Sequence, residues 1–215
     1  MSNTSLQHPS DALLEVRDIH LWRGEHHLLR GMSLSLAPGQ LLQVNGPNGV
    51  GKTSLLRCVA TLLPAESGEL SWRGGNALDS RSSYLHELLY LGHSSALKLD
   101  LSAVENLQFS VGLHRRVGTE QCVAALDTLA IAHCGHLPAR VLSAGQRRRV
   151  ALARLLLSPA LLWVLDEPIT NLDVDGIAVV EALMSRHLGQ GGMILTAAHQ
   201  ALLAGHAGAR SLQLH

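Results

Sequence analysis

Apolar stretches and turn residues alternate along the chain, and the length and spacing of these stretches predict strands and helices. From Ala12 to about Val44 the apolar stretches are broken by Arg23-Gly24 and Pro38-Gly39, which indicates several strands. Short runs bounded by turn residues predict further strands at 69–72, 88–91, 161–165, 193–196 and 211–214.

Helical spacing dominates between these runs. From about residue 95 to 142, apolar residues recur every three or four positions, which predicts a helical lobe. Helices are also predicted at 144–157 and 174–188, and the helix that begins near 54 should end near Leu63 because Pro64 follows. Alternating strands and helices indicate an α/β fold with a mostly parallel sheet, into which the lobe is inserted. The apolar positions that define the lobe are Val104, Leu107, Val111, Val123, Leu126 and Leu129.

A phosphate-binding pattern lies between a predicted strand and a predicted helix. Glycines let the backbone approach a phosphate closely, and the helix N-terminus adds its positive end. Lys52 can reach the β- and γ-phosphates of a nucleotide, and Thr53 can offer its hydroxyl to Mg²⁺. The stretch that fits G-x-x-x-x-G-K-[ST] is Gly46, Pro47, Asn48, Gly49, Val50, Gly51, Lys52 and Thr53, and Ser54 opens the following helix.

Two carboxylates follow the apolar run at 161–165. Such a run suits a strand covered on both faces, and ligands bind at the carboxyl end of such strands. Asp166 is placed to hold Mg²⁺, directly or through water. Glu167 is the better candidate to orient or deprotonate the attacking water.

The segment Leu142-Ser-Ala-Gly-Gln146 opens a predicted helix and carries a resemblance to a known family. It resembles the Leu-Ser-Gly-Gly-Gln signature of the ATP-binding cassette (ABC) ATPases, with Ala144 in place of the first glycine. The alternative is an ordinary helix start capped by Ser143, but a capped start would need neither Gly145 nor Gln146. The resemblance implies that Ser143, Gly145 and Gln146 bind the γ-phosphate held by a second copy, so that a homodimer closes over two ATP molecules.

The same resemblance implies a fold and further site residues. The fold would be a P-loop NTPase domain with a RecA-like, mostly parallel core sheet, an antiparallel β subdomain and the inserted helical subdomain at about 95–142. By position, Trp22 would stack on adenine and His199 would contact the γ-phosphate. The segment 170–173 would cross the dimer interface. By spacing, His93 or Ser94 takes the place of the family's glutamine that meets Mg²⁺ and the attacking water. Hydrolysis would then be slow or more dependent on partner proteins.

Several segments resemble, within that family, the ATP-binding subunits of the haem exporter of cytochrome c maturation. That narrower resemblance implies a peripheral subunit on the cytoplasmic face of the bacterial inner membrane, with CcmB, CcmC and CcmD as membrane partners. ATP hydrolysis would drive release of the haem-loaded chaperone CcmE, and whether haem itself is transported stays open. The segments are 45–49, 53–57, 90–93, 101–107 and 142–154, although Ser94 replaces a usual glutamine.

Composition limits the other possibilities. The chain has 215 residues, 47% of them hydrophobic and 16% charged, which is enough for one large domain over 12–215 behind a leader at 1–11. The formal net charge is zero, which argues against a nucleic-acid partner. Cys58, Cys122 and Cys134 show no CxxC spacing, which indicates a reducing compartment. No apolar run reaches the roughly 18 residues of a membrane span.

Other classes of protein share part of the pattern. A non-transport ABC ATPase of the DNA-repair or translation type would need a long coiled coil or two cassettes. A small-molecule kinase has no use for the signature segment. An inert nucleotide-binding subunit is also compatible with His93, which is not the usual glutamine. The presence of Glu167, a candidate catalytic base, argues against an inert subunit. The ATPase subunit of another ABC transporter remains open as an alternative.

Two further groups of residues have simple interpretations. His26-His27 and the segment 133–136 contain haem- or metal-binding residue types, but ligands this close seldom converge on one metal. Both stretches are therefore interpreted as exposed turns. The segment 147–149, three arginines, is interpreted as a solvated helix face rather than a phosphate patch.

Overall fold

The computed structural model describes residues 11–112 and 115–215, so the predicted leader lies outside the described residues except for Asp11. Within these ranges a five-stranded sheet has the order β6-β7-β8-β3-β9, and every pairing in it is parallel. Strands β7 and β8 are buried at every position, as expected for strands covered on both faces. The strands are β3 (Leu41–Asn45), β6 (Leu88–Leu91), β7 (Leu162–Asp166), β8 (Met193–Ala197) and β9 (Ala209–Gln213).

A second, antiparallel sheet comes mostly from the N-terminal part of the chain. Its order in the described residues is β2-β1-β4-β5. Apolar residues of this sheet and of the parallel sheet pack into one core around the first helix. The strands are β1 (Leu14–Arg23), β2 (His26–Leu36), β4 (Ser67–Trp72) and β5 (Gly75–Asn76).

Helices cover the faces of the parallel sheet and build the lobe between β6 and β7. The lobe helices pack on one another around a second core of buried aliphatic residues. Short 3₁₀ turns at Ala132–Cys134 and Ala139–Val141 lead into the signature segment. The helices are α1 (Lys52–Val59), α2 (Arg81–His86), α3 (Ala103–Gly112), α4 (Thr119–Thr128), α5 (Ala144–Leu157) and α6 (Val174–Gly189). The α/β class and the mostly parallel sheet are confirmed.

Some predicted details differ from the structure. Helix α1 ends at Val59, earlier than Leu63, because Thr61 takes a left-handed conformation with φ 53° and the next two amides fold back onto the Arg57 carbonyl. In α4 the buried stripe runs through Cys122, Ala125 and Leu126, so Val123 is 40% exposed rather than a core residue.

None of the helices described in residues 11–112 and 115–215 combines the length and apolar character that crossing a bilayer requires.

Candidate functional site

The loop between β3 and α1 has a backbone that only glycine fits at two positions. Gly46 has φ 143°, and a Cβ atom there would lie 2.8 Å from the Leu214 carbonyl oxygen. Gly51 has φ 112°, and its Cβ would lie 3.0 Å from a Leu29 methyl carbon. Both φ values fall in the region that side chains disfavour, so these glycines give the loop its tight curve at the N-terminus of α1.

Lys52 begins α1 and folds its side chain back over the loop. The side chain is nearly buried, at 9% exposure, and Nζ donates to the Gly46 carbonyl at 2.6 Å and to the Pro47 carbonyl at 3.1 Å. The ammonium group is thereby held inside the curve of the loop. A phosphate bound there would meet this cation together with the amides of the helix N-terminus.

Asp166 ends β7 directly opposite Thr53. Its Oδ1 accepts a hydrogen bond from Thr53 Oγ1 at 3.2 Å. Its Oδ2 is buried and has no hydrogen-bond partner among the described residues. A buried carboxylate oxygen left unpaired is costly, and Mg²⁺ prefers oxygen ligands. The pair therefore fits the predicted magnesium site, with Asp166 and Thr53 as the residues that would hold the ion.

Glu167 follows Asp166 and faces His199 across the ends of two neighbouring strands. Glu167 Oε1 lies 3.5 Å from His199 Nε2, and the Glu167 side chain is 13% exposed whereas that of His199 is 67% exposed. Glu167 has φ 52°, an uncommon left-handed value, and its amide donates to the Ala197 carbonyl at 2.8 Å. This conformation turns a carboxylate into the cavity at the point where a water could be activated.

Trp22 lies near the end of β1, with its ring 47% exposed at the other side of the cavity. It stacks face to face on His27, with ring centroids 4.2 Å apart and an angle of 6°. His27 also contacts His20, Nε2 to Nδ1, at 2.9 Å. Desolvation, followed by the nearby His20 and Arg30, lowers the pKa of His27. A neutral imidazole thus backs one face of the indole, which leaves the other for a planar base.

These side chains converge on one cavity of about 630 Å³. Gly46, Pro47 and Val50 form the loop without lining the cavity, and the signature residues are absent from the lining. The predicted site residues that line it are Trp22, Asn48, Gly49, Gly51, Lys52, Thr53, Ser54, His93, Asp166, Glu167 and His199. His93 is exposed at its edge, on the loop after β6. The cavity is also lined by Leu21, Arg23, Leu28, Arg57 and Leu63, which belong to no motif identified in the sequence.

The signature segment forms the N-terminus of α5. Ser143 Oγ accepts from the Gln146 amide at 3.1 Å, and Gln146 Oε1 accepts from the Ser143 amide at 2.8 Å. This is a capping box. A Cβ on Gly145 would lie 2.7 Å from the Asn171 carbonyl oxygen. The argument that a capped helix start needs neither Gly145 nor Gln146 is therefore wrong, because both have a structural role in this chain.

The segment 170–173 packs beside the signature. Asp173 caps α6 by accepting from the Gly176 amide at 2.9 Å, and it also accepts from the Arg149 guanidinium. The bond from Gly176, reinforced by Arg149, lowers the pKa of Asp173. The loop that would cross a dimer interface is thus fixed to α5 within one chain.

Arg148 is a buried residue that the sequence interpretation placed on the surface. The interpretation of 147–149 as a solvated helix face is wrong, since Arg148 is only 2% exposed and the Arg149 side chain 13%. A signal was present, because Arg148 shares a helix face with Ala151 and Leu155, which are buried.

The segment 133–136 contains residue types that can bind metals, but they differ in how deeply they are buried. Cys134 is buried at 1% exposure, whereas His133 and His136 are exposed. Burial raises the pKa of the Cys134 thiol. Among the residues that the structure describes, no three His, Cys, Asp or Glu side chains are grouped to hold a metal ion.

Comparison with known proteins decides the family. A family model described as ABC transporter matches residues 29–170. The chain belongs to the ABC transporter family. It is an ATP-binding, ATP-hydrolysing subunit of the ABC transporter type.

Curated relatives narrow the group. The cytochrome c biogenesis ATP-binding export protein CcmA of Methylococcus capsulatus is 49% identical over 194 residues, which cover 90% of this chain and 94% of that protein. CcmA 2 of Cupriavidus metallidurans is 45% identical over 90% of this chain and 92% of its own length. The predicted resemblance of this ABC ATPase to CcmA is confirmed.

Solved structures confirm the fold. An ATP-binding protein of an ABC transporter from Pyrococcus furiosus superposes with a TM-score of 0.80 at 25% identity, over 94% of this chain and 97% of that one. A dimeric ATP-binding cassette in a post-hydrolysis state, bound to ADP and Pi, gives a TM-score of 0.79 at 18% identity over 94% and 96%. The second likeness concerns the fold alone.

Proposed function

We propose that this chain is the ATPase subunit of a membrane complex of cytochrome c maturation. Two copies close over two ATP molecules, and hydrolysis drives release of the haem-loaded chaperone CcmE from CcmB, CcmC and CcmD. The complex lies in the bacterial inner membrane, with this subunit on its cytoplasmic face. The observation that carries the proposal is 49% identity to a CcmA protein over 90% of the chain.

The chemistry at one site would use residues of one cavity. Lys52 binds the β- and γ-phosphates and thereby holds the triphosphate against the amides at the start of α1. Thr53 and Asp166 would hold Mg²⁺, with His93 at the edge of the same cavity, and the ion would supply positive charge to neutralise the phosphates. Glu167 orients and deprotonates the attacking water, and His199, 3.5 Å from it, is placed to donate to the γ-phosphate. Trp22 stacks on adenine, backed by His27 at 4.2 Å.

The second half of each site would come from the partner copy. Ser143 is exposed, and it accepts a hydrogen bond from the Gln146 amide without using its own hydroxyl proton. That proton and the amides around Gly145 can bind a γ-phosphate from outside the chain. Gln146 keeps the helix start in shape through its bond to the Ser143 amide. The signature residues therefore suit a site completed by a dimer.

An apolar groove of about 550 Å³ suits a cytoplasmic segment of the membrane partner CcmB. It lies between the end of α1, α2, β6 and α3, and its lining includes Leu62, Leu89 and Val111. Leu62 is 59% exposed there. Tyr90 also lines the groove, and the chain runs from it directly to His93 at the edge of the nucleotide cavity. A partner seated in the groove would thus contact the segment that leads to the site.

The test uses a bacterium that lacks its own CcmA and supplies this chain together with CcmB, CcmC, CcmD and CcmE. Wild type should restore haem attachment to c-type cytochromes. Lys52→Ala and Glu167→Gln should leave haem-loaded CcmE bound to the membrane partners. Haem staining and pull-down of tagged CcmE measure both. Release of CcmE by the Glu167→Gln variant would contradict the proposal.

The same cells test the assembly. Wild type should co-purify with CcmB from detergent-solubilised membranes, and Leu62→Glu should lose CcmB while keeping ATP binding. The matched control is Leu78→Glu, since Leu78 is also 59% exposed but is not among the residues that line the groove. A chain recovered as a partner-free dimer would favour a different ABC ATPase.

A further inference from the structure

Arg148 is a buried cation in α5, three residues after Gly145. It is 2% exposed, although its neighbours in the helix reach the surface more. Burial lowers the pKa of its guanidinium to about 10, and the nearby Asp166 and Glu167 act in the opposite direction. It therefore carries its charge at neutral pH inside the protein. A buried charge of this kind is costly unless hydrogen bonds satisfy it.

The guanidinium donates hydrogen bonds to backbone carbonyls of two other segments. Nη2 donates to the Asp166 carbonyl at 3.0 Å and to the Glu167 carbonyl at 2.7 Å. Nε donates to the Pro168 carbonyl at 3.0 Å. Nη1 donates to the Gly92 carbonyl at 2.8 Å and more weakly to the His93 carbonyl at 3.4 Å. One side chain thus joins α5, the end of β7 and the loop after β6.

Three of the five carbonyls that Arg148 binds belong to residues of the nucleotide cavity. Asp166, Glu167 and His93 line that cavity, and Glu167 is held at φ 52°. Such a conformation in a residue other than glycine persists where the surroundings fix it. Arg148 bonds the carbonyls on both sides of that strained residue, and the planar guanidinium fork sets their directions.

The helix that carries Arg148 also presents the signature. Gly145 lies three residues before Arg148 and Ser143 lies five residues before it, about 4.5 Å and about 7.5 Å along the helix axis. In the proposed dimer they face the ATP of the partner copy, whereas three of the carbonyls bound by Arg148 belong to the chain's own site. A short stretch of rigid helix therefore separates the groups that serve the two sites.

We propose that Arg148 is a positioning residue that couples the two ATP sites of the dimer. When the signature of one copy engages the partner's γ-phosphate, α5 moves as a unit, and Arg148 carries the Glu167 backbone and the His93 loop of its own site into the position for hydrolysis. Hydrolysis at one site therefore depends on closure at the other. This inference rests on the proposed dimer and extends it to a route of communication.

Mixed dimers separate this role from local support of Glu167. Two differently tagged copies are co-expressed with the membrane partners and purified through both tags, so that only mixed complexes are measured. In the local arm, one copy carries Arg148→Lys and the other Glu167→Gln, so the working site contains the altered Arg148 position. In the remote arm, one copy carries Ser143→Asp and the other Glu167→Gln, so the working site keeps its own Arg148 and faces an intact signature, while closure at the other site is lost.

The readout is single-turnover cleavage of labelled ATP at the one intact site, compared with mixed dimers that carry Glu167→Gln alone. If the sites are coupled, the single-turnover rate of ATP cleavage should fall by about fivefold or more in both arms. The ATP concentration for half-saturation should stay within about twofold of the control. A fall in the local arm with an unchanged remote arm would overturn the inference, because Arg148 would then support only its own Glu167.

Homodimers provide a second measurement and a control for folding. Arg148→Lys keeps the charge but loses the planar fork, so it should lower kcat more than it changes KM, and Arg148→Gln should lower kcat further. Arg140→Gln is the matched control, because Arg140 lies on the surface and pairs with Asp100. If Arg148→Gln fails to fold, as judged by circular dichroism, Arg148→Lys decides. Wild-type kcat in a folded Arg148→Lys complex would contradict the inference, and CcmE release would show independently whether the proposed function stands.

Discussion

The chain carries two helix N-termini that suit phosphate, and they differ in how their amides are satisfied. At α1, Gly51 precedes the helix and no side chain among the described residues caps it. At α5, Ser143 and Gln146 cap each other's backbone amides. The first N-terminus faces a cavity of about 630 Å³, and the second lies on the surface. A phosphate can bind at α1 without displacing a cap, whereas at α5 it must use the Ser143 hydroxyl proton and the amides that the capping box leaves.

In the proposed dimer the two half-sites would have different tasks. The α1 side would hold nucleotide with groups already oriented, since Lys52 lies within its loop and is only 9% exposed. The α5 side is stable without a phosphate and can therefore form and release a contact in each cycle. A half-site that binds and a half-site that senses are what a dimer opened and closed by ATP requires.

The largest effect is expected at the α1 half-site, from Glu167→Gln. The amide keeps the shape of the side chain but cannot accept the proton of water, so hydrolysis should fall by about 10²- to 10⁴-fold. ATP binding should persist, and the closed dimer should accumulate, as measured by phosphate release and size-exclusion chromatography with ATP. Glu120→Gln, an exposed acid at the start of α4, is the control. Unchanged turnover would remove Glu167 from the mechanism.

Substitutions of Ser143 sharpen the comparison because they separate capping from phosphate binding. Ser143→Ala should lose the cap, with about 1 kcal/mol of stability, and also the hydroxyl that meets the partner's phosphate. Ser143→Asp keeps a capping oxygen but places a negative charge there, so it should keep the Tm of the wild type and still lose ATP-dependent dimer closure.

Thermal unfolding measures the stability of the Ser143 variants, and light scattering with ATP measures their dimer closure. Nucleotide affinity of the isolated chain should stay within about twofold for both variants, since Ser143 does not line its own cavity. A Ser143→Asp dimer that closes normally would show that the surface half-site does not meet phosphate.

Trp22 offers a smaller effect within the α1 half-site. Trp22→Ala should weaken ATP binding by about tenfold, in line with the stacking energy of a base on an aromatic ring. The ATP affinity of Trp22→Phe should stay within about threefold of the wild type, because an aromatic ring still stacks on His27. Fluorescent nucleotide titration measures both. Equal affinities of wild type and Trp22→Ala would show that adenine does not contact this ring.

Cys58 does not line the nucleotide cavity, and it tests the core behind α1. Burial, followed by Glu66, raises the pKa of its thiol to about 11, from an ordinary value of 9.0. The thiolate fraction at pH 8 is therefore about 100-fold lower than for an ordinary cysteine, and alkylation should be slower by a similar factor. Its rate should rise only as the pH approaches 11. Peptide mass spectrometry after iodoacetamide measures it, with urea-unfolded protein as the control, and rapid labelling of the folded chain would contradict the packing of α1.

Local sequence patterns predicted the parts of the site that are formed by residues adjacent in the sequence. The phosphate loop and the Asp166-Glu167 pair depend on a strand, a turn and a helix in sequence, and the structure brings them together as expected. The apolar helix face that Arg148 shares with Ala151 and Leu155 indicates burial. The partners of Arg148, however, are carbonyls on segments 18 to 56 residues away, which no residue pattern records. The stacking of His27 on Trp22 was not predicted for a similar reason. It depends on the register of the β1–β2 hairpin, whose pairing is irregular.

The most direct test of the whole account is a structure of the Glu167→Gln complex with ATP and Mg²⁺. In that structure we expect the γ-phosphate held by Lys52 of one copy to contact the Ser143 hydroxyl and the Gly145 amide of the other copy, at both sites. A nucleotide-bound dimer in which the α5 N-terminus of each copy stays in solvent, away from the opposite phosphate loop, would contradict it.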